Sequence, residues 1–169
     1  MILKTIRKQF KIDWWGHHGI RHWARVRRNG RIIAQHVPNI DLTVLDLFAV
    51  LHDAGRHDED EDPYHGYRCA ALLRKVYKPE DFGLTLGQYI TLLYAIEHHS
   101  EQVKPISITV AACWNADRLD IGRVGITPDK RFMCSEALPP DDIITRIQHS
   151  AQRERHKQRS LHDPRVLPP

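Results

Sequence analysis

The sequence predicts an all-α protein, a helical bundle with a metal site in its core. Three observations predict it. Five or more segments follow one another along the chain, most of them opened by a capping residue or proline and closed by Gly or Pro. The run 42–51 is apolar on nearly every face, which marks a helix buried on all sides. Histidines and aspartates recur within or beside several of these segments, where a bundle would direct them to one centre.

Asp13 is placed to cap a helix from Trp14 to Arg28, with Asn29-Gly30 breaking or interrupting it. Asp41 caps a second, from Leu42 to about Ala54, and Gly55 is placed to end it. A third runs from Tyr64 to Tyr77 and is stopped by Pro79. Thr85 caps a fourth, Leu86 to about His99, with Leu86, Ile90, Leu93 and Ile96 at helical spacing. Pro105 is placed to start a fifth, Ile106 to about Ile121, with Gly122 easing its exit. Val103, Ile106, Ile108 and Val110 also fit a short strand. Pro139-Pro140 and Asp141-Asp142 precede a charged amphipathic helix reaching about Gln158. No repeat or composition break divides the chain, so 1–160 reads as one domain and 161–169 as a short disordered tail.

At 169 residues, 41% hydrophobic and 27% charged, the chain can bury a core and has a soluble, globular balance. The formal charge of +4 and pI near 9.1 are mildly basic. Much of the excess lies in 4–11, 21–31 and 153–159, and such runs are ordinarily solvated helix faces rather than a nucleic-acid surface. A basic surface would still attract a small phosphorylated molecule. Cys69, Cys113 and Cys134 are odd in number, far apart and without CxxC spacing, which points to a reducing compartment. The longest nearly apolar run, 42–51, is interrupted by Asp46 and is too short to span a bilayer. With no apolar leader at the N-terminus, the expectation is a cytoplasmic protein without a membrane partner. Nothing in the sequence speaks to oligomeric state.

The twelve histidines are well beyond ordinary usage, and their order with the carboxylates is informative. His22 comes first, then His52-Asp53, then His65 and His98-His99, then Asp117. A divalent ion needs several lone-pair donors converging on one point, and this combination supplies them. Three His-Asp dipeptides occur. His162-Asp163 precedes Pro164 in the tail, and His57-Asp58 opens the acidic run 58–62, which reads as a solvated loop. Only His52-Asp53 closes an apolar helix, where two polar groups are costly unless paired or metal-bound. Adjacent helical residues point about 100° apart, so both reach one ion only near its axis of approach, or Asp53 bridges two. His22 sits one turn after His18, and Ala116 and Leu119 suggest that Asp117 faces inward. His17, His36, His149 and His156 read as surface or capping residues.

Three segments carry a family likeness: Gly19-Ile20-Arg21-His22-Trp23-Ala24-Arg25-Val26, Leu51-His52-Asp53-Ala54-Gly55-Arg56, and Asn115-Ala116-Asp117-Arg118-Leu119-Asp120. They resemble the HD-domain superfamily of metal-dependent phosphohydrolases, over roughly His18 to Arg123. The resemblance implies an HD-like helical bundle in which His22, His52, Asp53 and Asp117 hold a first metal. Members with two metals are similar further on, where His65 precedes Gly66-Tyr67-Arg68-Cys69 and His98-His99 precede Ser100. That likeness implies a dinuclear site, with Asp53 bridging and His65, His98 and His99 on the second ion. After the histidine pair this chain has Ser100-Glu101-Gln102 rather than the Gly-Tyr-Pro of bacterial cyclic-dinucleotide phosphodiesterases, so their substrate is not carried over.

Mixed imidazole and carboxylate ligation suits iron, manganese, cobalt, nickel or zinc, two ions per chain in the dinuclear reading. Two metals would activate a water and clamp phosphoryl oxygens, with Asp53 at the reacting centre. Arg56, three residues beyond Asp53, and Arg118, beside Asp117, are placed to bind substrate phosphate, with Arg25 a third candidate. His18 is a candidate outer-sphere acid, or else a supporting residue. Trp14, Trp15 and Trp23 read as core, though one could stack on a nucleobase. The expected activity is that of a phosphohydrolase or phosphodiesterase acting on a nucleotide or other small phosphorylated metabolite. A di-iron oxygenase cleaving a C–C or C–P bond and a nucleotide-binding sensor are the alternatives.

Overall fold

The computed structural model describes residues 2–101 and 103–161, with side chains for 3–101 and 103–155. These residues form seven α-helices and no strand: α1 Ile2–Gln9, α2 Ile20–Ala34, α3 Leu42–Leu51, α4 His65–Val76, α5 Leu86–His98, α6 Ile108–Arg118 and α7 Asp141–Leu161. Short 3₁₀ turns at Pro79–Phe82, Leu119–Val124, Lys130–Phe132 and Ser135–Ala137 join them. Apart from Leu161, the expected tail lies outside the described residues, as do the side chain of His156 and the dipeptide His162-Asp163.

α3 is the axis of the bundle. Asp41 caps it, accepting from the backbone N–H of Thr43 and Val44. Val44, Leu45, Phe48, Ala49 and Leu51 are buried, and the helix packs against α2, α5 and α6. α4 packs on α5, and α7 covers the 3₁₀ turn at Leu119–Val124. Thr85 and Gln88 form a reciprocal capping box at the start of α5. No helix among the described residues is long and apolar enough to cross a membrane. All three cysteines are free and buried.

Several boundaries differ from the sequence expectation. α1 is not expected from the sequence, because Lys4, Arg7 and Lys8 obscure its apolar side; Ile6 is buried, and Phe10 just beyond it packs edge-on against Trp14 and Trp23. α2 starts at Ile20 rather than Trp14. The Asp13 carboxylate instead accepts from Trp15 N–H, closing a turn before the helix. Nor do Asn29 and Gly30 break α2. Asn29 is fully buried and its Nδ2 donates to the Ala116 carbonyl at 3.2 Å. At Gly30 a Cβ would lie 2.6 Å from Leu45 Cδ2, so the missing side chain is what lets α2 and α3 touch. That contact outweighs the roughly 1 kcal/mol that glycine costs inside a helix. The strand alternative at 103–110 fails: Ser107, not Pro105, caps α6, and residues 109 to 116 are all buried within it. Finally, α3 stops at Leu51 rather than Ala54, which leaves His52 and Asp53 in a turn.

Candidate metal centre

At the end of α3 two neighbouring residues, His52 and Asp53, enter one buried group. His52 still has helical dihedrals as the C-cap of α3, and the side chains of His52 and Asp53 nevertheless converge, Nε2 to Oδ2 at 3.5 Å. The other helices deliver their groups at or near their ends. His65 is the first residue of α4, His99 caps the C-terminus of α5, and Asp117 lies near the C-terminus of α6. His22 comes from the first turn of α2 and His18 from the segment before it. Histidine at such positions keeps the helix interiors apolar while the ends converge.

The donor atoms meet in two groups that share Asp53. Its Oδ2 lies 3.4 Å from His22 Nε2, 3.5 Å from His52 Nε2 and 3.0 Å from His18 Nδ1. Asp117 Oδ1 closes that side, 3.2 Å from His22 Nε2 and 3.7 Å from His52 Nε2. On the other side, Asp53 Oδ1 lies 3.2 Å from His65 Nε2 and 3.8 Å from His99 Nε2. Donors about 2.1 Å from one ion stand roughly 3.0 to 3.4 Å apart, close to the spacing found here.

The ring nitrogens test whether these residues fit a cation. His52 Nδ1 faces the carbonyls of Phe48 and Ala49, His65 Nδ1 faces Asp62 O, and His99 Nδ1 faces Ile96 O at 2.7 Å. His22 Nδ1 faces the Asp120 carboxylate at 2.7 Å. Carbonyls and carboxylates only accept, so each Nδ1 carries a proton, and a ring with no second proton presents a bare lone pair at Nε2. Yet Nε2 of His22 and His52 stand 3.1 Å apart, and those of His65 and His99 2.7 Å apart. Two lone pairs so close repel unless a proton or metal ion lies between them. The donor set therefore fits a bound cation on both sides of Asp53.

Burial and charge point the same way. His22, His52, Asp53, His65 and His99 are all buried. Burial pushes the Asp53 carboxyl up, but the His52, His18 and His22 rings outweigh it and hold it well below the ordinary range. Asp117 is depressed in the same manner by His22 and His52. Burial and Arg123 pull His22 down, but Asp117, Asp120 and Asp53 prevail and raise it to about 9. For His18 burial wins, and its pKa falls below the ordinary value.

The structure does not bring His98 to this group. Its Nδ1 bonds Glu101 at 2.9 Å and its ring lies against Tyr94, while the adjacent His99 turns inward. Arg25, expected at the substrate, is buried and donates from Nε to both oxygens of Asp120, at 2.8 and 3.1 Å. Arg56 Nε donates to Asp53 Oδ1 at 3.0 Å. Sequence reasoning gave no role to Asp120 or Arg123, although Asp120 lies three residues beyond Asp117. Asp120 orients His22, and Arg123 donates to the His17 carbonyl while lying 3.9 Å from Asp120 Oδ2. Asn115 ties the chain over the site, donating to the carbonyls of Cys134 and Ala137 and accepting from Cys134 N–H.

A cavity of about 630 Å³ opens onto the centre, with His18, Asp53, His65, His99 and Asp117 in its lining. That volume suits a nucleotide-sized molecule. Arg118, Lys104 and Phe132 also line it, whereas Arg25 and the three tryptophans near His22 do not. Trp23 is core, Trp14 packs edge-on against it, and Trp15 is exposed beneath the Arg21 guanidinium.

Comparison with known families places a match to the HD domain over residues 19–122, more than half of the chain. No curated protein and no solved structure matches the chain.

Proposed function

The chain belongs to the HD domain family, a superfamily of metal-dependent phosphohydrolases, and from that premise we propose that it hydrolyses a phosphate ester of a nucleotide or similarly small metabolite. The observation that carries this reading is the pair of facing Nε2 atoms on each side of Asp53. In the proposal His22, His52, Asp53 and Asp117 hold one ion, and Asp53, His65 and His99 hold a second. His98 is left out, because its ring is engaged elsewhere. A divalent ion held by these residues would supply an activated water and positive charge for the phosphoryl oxygens.

The protein's own residues do the positioning. His18 and Arg56 grip opposite oxygens of Asp53 and fix its bridging orientation. Cations for the substrate are selected by what they already touch. Arg25 and Arg123 are committed to Asp120, Arg56 to Asp53 and Arg131 to Asp129. Arg118 lies over the Trp114 ring and reaches the Glu101 carbonyl and the Cys134 thiol, but neither it nor Lys104 has a carboxylate partner among the described residues. Both line the cavity and are free to receive phosphate oxygens. Phe132, 60% exposed on the same wall, offers a face for a nucleobase. Three free buried thiols fit a reducing compartment.

The test is a metal analysis joined to a substrate screen. His52→Ala and Asp53→Ala are expected to lose bound metal and activity while keeping the helical circular-dichroism signal. Phosphate release from nucleotides under argon with manganese supports hydrolysis. Full metal content in both variants, or turnover that requires dioxygen, overturns the proposal.

A further inference from the structure

A second cavity, of about 390 Å³, lies beneath α1 and shares no lining residue with the first. Ile6 from α1, Leu51 at the end of α3, Ala54 from the ligand-bearing turn, and Leu72 and Leu73 from α4 make its apolar surface. Leu72 is 44% exposed. The polar side of the lining is of one sign. Lys8, Lys11, His57 and Arg68 border the space, and no aspartate or glutamate does. Arg68 is engaged with Asp62 and the Gly55 carbonyl. Lys8 and Lys11 have no carboxylate partner among the described residues, although the chain holds 21 acidic residues.

An apolar floor with unpaired cations at its edge would leave either water against leucine or a ligand that satisfies both surfaces. We propose that this cavity binds a small amphipathic anion, an apolar body ending in a carboxylate or phosphate, with the body against Leu51, Leu72 and Leu73 and the anionic end at Lys8 and Lys11. A neutral apolar molecule leaves the lysines unused. A cationic amphiphile meets like charge, which disfavours it. The occupant rests on Leu51, Ala54 and Gly55, residues that flank Asp53 in the chain, so it contacts the reverse of the turn that builds the metal centre. The proposal does not depend on the hydrolytic reading.

The experiment is calorimetric titration of the whole protein with decyl phosphate, decanoate, decanol and decyltrimethylammonium, each below its micellar concentration. One equivalent of either anion is expected to bind, about tenfold more tightly than decanol. Preference between phosphate and carboxylate identifies the head group. The double variant Lys8→Glu, Lys11→Glu changes only exposed residues and is expected to weaken the anions about tenfold while leaving decanol unchanged. Leu72→Trp, which adds bulk to the apolar lining, is expected to abolish binding of both anions and of decanol. Equal binding of the cationic amphiphile, anion affinity unaltered in both variants, or association with anionic vesicles without binding of monomeric anion would overturn the proposal.

Discussion

Each of the four buried histidines uses Nδ1 to fix its ring and leaves Nε2 for the centre, so the neighbours that receive Nδ1 matter as much as the ligands. Asp120→Asn is therefore expected to weaken metal affinity about 10- to 100-fold without touching a ligand, as measured by competition with a chromophoric chelator. Unchanged affinity would show that His22 is oriented without Asp120. The adjacent pair at the end of α5 gives a sharper contrast. His99→Ala is expected to lower metal stoichiometry, whereas His98→Ala leaves it intact, both read by elemental analysis. Sequence alone treated the two alike. Neighbours on a helix diverge by about 100°, and only the packing of α5 against α3 and α4 decides which one faces in. Arg25 and Arg118 show the same limit. Each lies near a ligand in sequence, but the first is buried on Asp120 and the second stands on the cavity wall.

Helix ends carry the site, and helix surfaces carry what keeps those ends in register. Asp46, the single charge in α3, accepts from Arg27 Nη2 and Arg31 Nε of α2, both at 2.9 Å. Its partial burial pushes the carboxyl up, but Arg31 and Arg27 outweigh that and lower it to about 2. A depressed carboxylate stabilises the fold above its unfolded value of 3.8, and the contribution disappears as pH falls through about 2. Asp46→Asn is expected to lower unfolding free energy by about 0.5 kcal/mol at pH 7, a value limited by the exposure of both arginines. The difference from the unmutated protein should close near pH 2 in urea titrations. A difference that persists there would mean the asparagine acts through packing. Caps were the most legible part of these elements: Asp41 and Thr85 sit where the sequence placed them. Asp13 misled because its carboxylate closes a local turn with the same hydrogen bond that a cap would make. Asn29-Gly30 misled because a residue that weakens an isolated helix can be required where two helices touch.

At the scale of the whole molecule, the centre joins α2, α4, α5 and α6 to the end of α3, so a bound ion links parts of the chain as distant as His22 and Asp117. Removing metal is expected to lower the melting temperature, since ligand at about 1,000 times its Kd stabilises by roughly 4 kcal/mol. The same chelator should leave Asp53→Ala, which lacks the carboxylate common to both donor groups, unaffected; a similar shift in that variant would assign the stabilisation to ions bound elsewhere. The sequence by itself determined the all-helical class, the central place of α3, the family segments and the residue types from which a cation site could be made. Those follow from periodicity, composition and local hydrogen bonding, which act over a few residues. Only the tertiary structure decided that α3 ends before His52, that His99 rather than His98 faces the centre, that Asp120 supports His22, and which cations remain free in the cavity. Each of these depends on where a side chain points once distant helices have packed, and that direction is set by contacts between residues dozens of positions apart.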